Sequence, residues 1–95
     1  MKQYYVYILS NKTATVIYIG VTGDLRKRVW QHKSKEIDGF TKEYNVDRLV
    51  YYEDTTDIKR ALEREKQLKK WNREWKDNLI KEKNSDWKDL YNDLA

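Results

Sequence analysis

Hydrophobic and polar positions follow two different rhythms along this chain, and the change of rhythm marks its elements. Gln3 to Leu9 (QYYVYIL) and Val16 to Val21 (VIYIGV) are β-branched and aromatic almost throughout, which predicts two strands. Asn11-Lys12-Thr13-Ala14 between them reads as a turn, so the strands predict a hairpin. Folding symmetrically about that turn sets Tyr7 opposite Tyr18 and Tyr5 opposite Gly20. Opposed residues project to the same face of a sheet, so two phenols stand side by side and the glycine leaves a gap beside Tyr5. Such a pair can be cross-strand packing alone, or the wall of a site.

The rhythm then turns helical. Thr22-Gly23-Asp24 supplies short capping side chains, and the spacing predicts a helix from Asp24 to about Lys33 with Leu25, Val29 and Trp30 on its apolar side. Arg28 follows Leu25 by three residues and His32 follows Val29 by three, so both border that stripe and share a face. Each also has an ordinary reading, as a solvated arginine and as a half-buried or capping histidine. Residues 34–47 (SKEIDGFTKEYNVD) predict a loop with at most a short helical turn, where Phe40, Thr41 and Lys42 can touch a ligand. Phe40 can equally anchor the loop. Arg48 to Glu53 is a third strand by composition. Asp54 to Asp57 offers caps for a long helix whose core face is Ile58, Ala61, Leu62, Leu68, Trp75 and Leu79. Asn72 falls in the same series, with a break expected near Trp71-Asn72. Asn84-Ser85-Asp86 reads as a stop and a new cap, and Trp87 to Tyr91 predicts a final short helix over the core.

Glu65 is out of place in that stripe. It lies four residues after Ala61 and three before Leu68, where periodicity expects an apolar side chain, and a carboxylate is not buried without a partner. It must pair with a cation, bind a metal or lie at the mouth of a pocket. Lys69, four residues on, offers the ordinary pair, worth about 0.3–0.5 kcal/mol. Glu63 points elsewhere and reads as surface. Lys66 to Lys83 is rich in Lys and Arg with Trp71 and Trp75 interleaved. That suits phosphate contacts, although Glu74, Asp77 and Glu82 also suit a solvated helix.

Composition narrows the classes. Ninety-five residues predict one domain over 1–95 with a modest core. The absence of cysteine excludes a disulfide framework and a thiolate zinc site. No apolar run reaches the length of a membrane span and the start lacks a signal pattern, so a cytoplasmic protein without a membrane partner is expected. The 20 Lys+Arg against 16 Asp+Glu give a formal charge of +4, compatible with nucleic acid but too small to establish it.

Tyr5-Val6-Tyr7, followed after a ten-residue gap by Tyr18-Ile19-Gly20, resembles the paired motif of the GIY-YIG nuclease superfamily, with Tyr5 in place of the usual first glycine. The spacing to Arg28 and His32 is similar to that superfamily's arginine and following histidine or tyrosine. Ala61-Leu62-Glu63-Arg64-Glu65 resembles its alanine-to-glutamate helix motif, and Asn84 its closing asparagine. Ala61 to Trp71 (ALEREKQLKKW) and Asn84 to Leu90 look like a group of small, single-domain bacterial members. Excinuclease C and phage homing endonucleases carry the domain attached to others. The fold expected is α+β, a small three-stranded, mostly antiparallel sheet flanked by helices in the order β-β-α-β-α-α.

The resemblance implies hydrolysis of a DNA phosphodiester with Mg²⁺ or Mn²⁺, in DNA repair or recombination, and allows for a larger repair complex as partner. The catalytic set it implies is Tyr7, Tyr18, Arg28, His32 and Glu65. Glu65 holds the metal and Arg28 the phosphate, while Tyr7, Tyr18 or His32 helps deprotonate the attacking water. Nucleic-acid contacts fall on Lys42, Lys69 and Asn84. RNA remains open as a substrate. The alternative is a nucleic-acid-binding module that keeps the fold without useful turnover. A four-stranded RNA-binding sheet is disfavoured, because its element order and aromatic-glycine motif are missing.

Overall fold

A computed structural model describes residues 2–94. Strands β1 (Tyr4–Ser10) and β2 (Ile17–Thr22) form the hairpin, followed by helix α1 (Leu25–Lys33) and a short helical turn α2 (Phe40–Glu43). Strand β3 (Arg48–Thr55), helices α3 (Ile58–Lys70) and α4 (Arg73–Lys83), and a closing 3-10 turn (Leu90–Asp93) complete the order. The sheet is antiparallel with β1 central, in the order β2-β1-β3. The expected fold class is therefore observed.

The hairpin register differs from expectation. Tyr7 faces Gly20, Tyr5 faces Thr22, and Tyr18 faces Leu9. The cause is the connection. Asn11 Oδ1 accepts hydrogen bonds from the backbone of Thr15 (2.9 Å) and Val16 (3.1 Å), and Asn11 N–H donates to the Val16 carbonyl. The loop therefore spans residues 11–16, longer than the turn that was expected. A shift of the facing pairs by two residues keeps every side chain on its own face. Tyr7 and Tyr18 remain on one side as diagonal neighbours.

Two apolar clusters sandwich the sheet. On one face Val6, Ile8, Ile19, Val50 and Tyr51 meet Ala61, Leu68 and Ile80 of α3 and α4. On the other, Tyr7, Leu9 and Leu49 meet Leu25, Val29 and Val46, with Leu90 and Tyr91 packed against them. A bulge between the Ile8 and Leu9 partners on β3 turns Val50 toward the first cluster.

Several expected core positions lie outside. In α1 the buried line is Leu25, Val29 and His32; Trp30, one residue past Val29, points away and is 51% exposed. Ile58 and Leu62 flank the Ala61–Leu68 line of α3 and are exposed, as is Trp75. The expected break is present: Trp71 and Asn72 are extended (ψ 151° and 167°), and Asn72 caps α4 by accepting from Trp75 N–H. An extended pair of residues discards the rotational phase of α3, so α4 starts its own buried line through Ile80. The final helix is reduced to the turn at Leu90–Asp93, capped by Asp89.

Candidate active site

The face of the sheet covered by α1 carries the polar cluster. Tyr7 is buried, and its ring lies across Gly20 on the neighbouring strand. A Cβ at position 20 would fall 2.5 Å from the Tyr7 hydroxyl and 2.6 Å from Cζ, so only glycine gives the phenol this path. The gap thus lies beside Tyr7, not beside Tyr5. Tyr5 instead packs edge-on against Tyr52, outside the cluster.

Helix α1 brings the next two groups. Asp24 caps it by accepting from Lys27 N–H, and the turn spacing puts Arg28 and His32 above the phenols. His32 is 3% exposed. Its Nε2 is hydrogen-bonded to the Tyr7 hydroxyl at 3.3 Å and its Nδ1 to Thr41 Oγ1 at 3.0 Å. Its ring centroid lies 6.0 Å from that of Tyr7 and 5.6 Å from that of Tyr18, while the two phenols are 6.4 Å apart. Tyr18 is partly exposed. Burial, reinforced by the Arg28 cation, pushes the imidazole down to about 4. Burial also raises the Tyr7 phenol above its ordinary value, as do Tyr18 and, more weakly, the Glu65 carboxylate; Arg28 pulls it back.

Arg28 is half-buried, and among the described residues no carboxylate lies within ion-pair distance of it. It borders an open cleft of about 430 Å³ whose walls include Lys2, Asp24, Lys27 and Gln31. A half-buried guanidinium without an ion-pair partner, with two lysines and one aspartate around the cleft, can receive a phosphate or carboxylate.

Glu65 comes from α3, across the sheet, with its side chain 19% exposed. Lys69 stands 3.6 Å away, so the ordinary pairing is realised. Among the described residues no three His, Asp or Glu side chains gather as a metal cage. One carboxylate still fits Mg²⁺ or Mn²⁺, which keep several waters and share substrate phosphate oxygens. Lys69 itself is 53% exposed, on the solvent side of the pair.

The three expected nucleic-acid contacts separate. Lys69 sits on Glu65, and Lys42 is exposed on α2 with Asp38 at 3.2 Å. Asn84 is a correction. It is buried, donates to the carbonyls of Val50 and Lys88 (2.9 Å each) and accepts from Lys88 N–H. Its amide is used up in closing the fold. Thr41, expected to touch a ligand, is buried under His32; a lone polar residue on a four-residue turn gives no sequence signal of that partner.

Known proteins share this fold. The GIY-YIG catalytic domain family matches residues 3–78. A UPF0213 protein of Staphylococcus saprophyticus is 33% identical over 82 residues, covering 86% of this chain and 99% of its own. One from Syntrophus aciditrophicus is 36% identical over 83 residues, covering 86% and 94%. The solution NMR structure of a UPF0213 protein from Bacillus halodurans superposes with a TM-score of 0.59 at 27% identity, covering 93% of each chain. The domain is nuclease-like, of a kind that generally uses divalent metals and binds DNA. No helix among the described residues is long and apolar enough to cross a membrane. By the residues matched and the relatives it aligns with, the chain belongs to the GIY-YIG family, in its UPF0213 group of small proteins.

Proposed function

We propose that this protein is a divalent-metal-dependent endonuclease that hydrolyses DNA phosphodiester bonds. The observation that carries the reading is Arg28, a half-buried guanidinium without a carboxylate partner among the described residues, set against Tyr7 and His32. Arg28 binds the scissile phosphate and stabilises the charge that grows on its oxygens. Glu65 would hold Mg²⁺ or Mn²⁺, which supplies Lewis-acid stabilisation of the leaving oxygen. His32 is buried with both ring nitrogens engaged, so a phenol meets the water. Tyr18, the partly exposed one, takes that position, and Tyr7 and His32 hold it from behind. The likeness to the domain of excinuclease C supports a setting in DNA repair or recombination.

The Lys69–Glu65 pair favours a second reading, a binding module whose carboxylate is already neutralised. One experiment separates the two. Wild type and Glu65→Ala are incubated with nicked, branched and single-stranded DNA, and with RNA, in Mg²⁺, Mn²⁺ or EDTA. Cleavage that needs metal and is lost in Glu65→Ala supports the nuclease. Binding unaffected by EDTA or by the substitution, with no cleavage of any substrate, supports the module. Cleavage that survives Glu65→Ala removes Glu65 from the site.

A further inference from the structure

Resting on the nuclease reading, we propose that Thr41 is a positioning residue. Its hydroxyl accepts the His32 Nδ1–H and holds the imidazole with a proton-free Nε2 turned to the Tyr7 hydroxyl. Thr41, His32 and Tyr7 are 5%, 3% and 1% exposed, so this chain of hydrogen bonds is closed to solvent. Each hydroxyl can donate or accept, and the distances of 3.0 and 3.3 Å admit either tautomer. The buried Tyr7 hydroxyl decides between them, because among the described residues Nε2 is its one hydrogen-bond partner. Arg28 favours negative charge on the phenol oxygen, so the hydroxyl proton turns away from the guanidinium and toward Nε2. A hydrogen on Nε2 would instead leave the buried Tyr7 hydroxyl proton without that acceptor. Nε2 therefore accepts, Nδ1 carries the proton, and Thr41 Oγ1 accepts a hydrogen bond from that N–H.

The choice matters because the ring is neutral at pH 7, its protonation pushed down to about 4. The imidazole also packs against both phenols. A ring free to flip would withdraw the acceptor from Tyr7 and shift the surface on which Tyr18 rests. Gly39, at φ 103°, turns the chain into α2 and delivers Thr41 beneath the histidine.

His32 is the sole histidine of the chain, so its two ring nitrogens are read without ambiguity in a long-range ¹H–¹⁵N spectrum. The wild type is expected to show a protonated Nδ1 and an unprotonated Nε2. Thr41→Val, which keeps the shape and removes the hydroxyl, should move both nitrogens toward a tautomer mixture. On the DNA that the wild type cuts best, it should lower kcat by about ten- to a hundredfold with KM within about twofold. Thr41→Ser should restore both readouts. A wild-type spectrum with the proton on Nε2 overturns the proposal, as does Thr41→Val with unchanged nitrogen shifts or unchanged kcat. Should Thr41→Val not fold, the wild-type tautomer and the Thr41→Ser rate still decide. A wild type that cuts nothing overturns the nuclease reading and the catalytic consequence with it, while the nitrogen shifts separately show whether Thr41 sets the tautomer.

Discussion

The two faces of the sheet each hold a buried tyrosine with an arginine beside it, and they use these parts differently. On the α3 face, the Tyr51 hydroxyl donates to Glu53, which is paired with Arg64 at 2.7 Å. Arg64 also lies over the Trp71 ring and donates to Gln67. The Glu53 and Arg64 charges there are each other's opposite within the fold. On the α1 face, Tyr7 bonds to a neutral imidazole and Arg28 has no such carboxylate among the described residues. Burial raises both phenols. The closed network holds structure together, whereas the open one leaves a cation for a ligand.

Breaking the open side should have the largest effect. Arg28→Ala is expected to lower cleavage by about a hundred- to a thousandfold while shifting the urea midpoint little, because no ion pair is lost. Near-wild-type cleavage by Arg28→Ala would erase the distinction between the faces. Gly20→Ala comes next. Its methyl must displace the Tyr7 ring, at about 1–3 kcal/mol, seen as a lower thermal midpoint together with weaker cleavage. A variant as stable as wild type would show that the ring has another path.

On the closed side, Arg64→Ala strands a partly exposed Glu53 and should cost about 1–2 kcal/mol in denaturant unfolding. Cleavage by the folded fraction should be unchanged. The smallest effect is a titration. The His32 value in the folded protein, about 4, lies below the ordinary 6.5. The unfolded chain therefore takes up the proton first, and stability falls as pH drops through that window. Relative to a His32→Gln variant, the wild type should lose about 1 kcal/mol between pH 6.5 and 5.5. Histidine NMR signals that titrate near 6.5 would contradict it.

Much of this arrangement was legible in the residues. Strand composition, the caps at Asp24 and Asp57 and the break near Trp71-Asn72 placed the elements, because those signals are local; that Asn72 itself caps α4 came from the structure. The shared face of Tyr7 and Tyr18 survived a register error, since a two-residue slip preserves side-chain parity while the loop length that causes it depends on one Asn11 side chain. The outer positions of Ile58, Leu62 and Trp75 were not legible. Ala61 sets the line along which α3 approaches the sheet, and the break at Trp71-Asn72 resets the phase. Glu65 stood out as a carboxylate in an apolar series, and it is indeed half-covered and paired. The partnership of Thr41 with His32 needed coordinates, because it joins two elements through a loop.

The tail also bears on how copies of the chain meet. Asp89 accepts from Leu49 N–H, and Asn84 donates to the Val50 carbonyl. These two backbone groups of an edge strand are thus occupied by side chains instead of being offered to another strand. Such an edge, left open, is a template for intermolecular pairing. Ending the chain before Asn84 would uncover that edge and let copies associate through β3, visible as concentration-dependent light scattering.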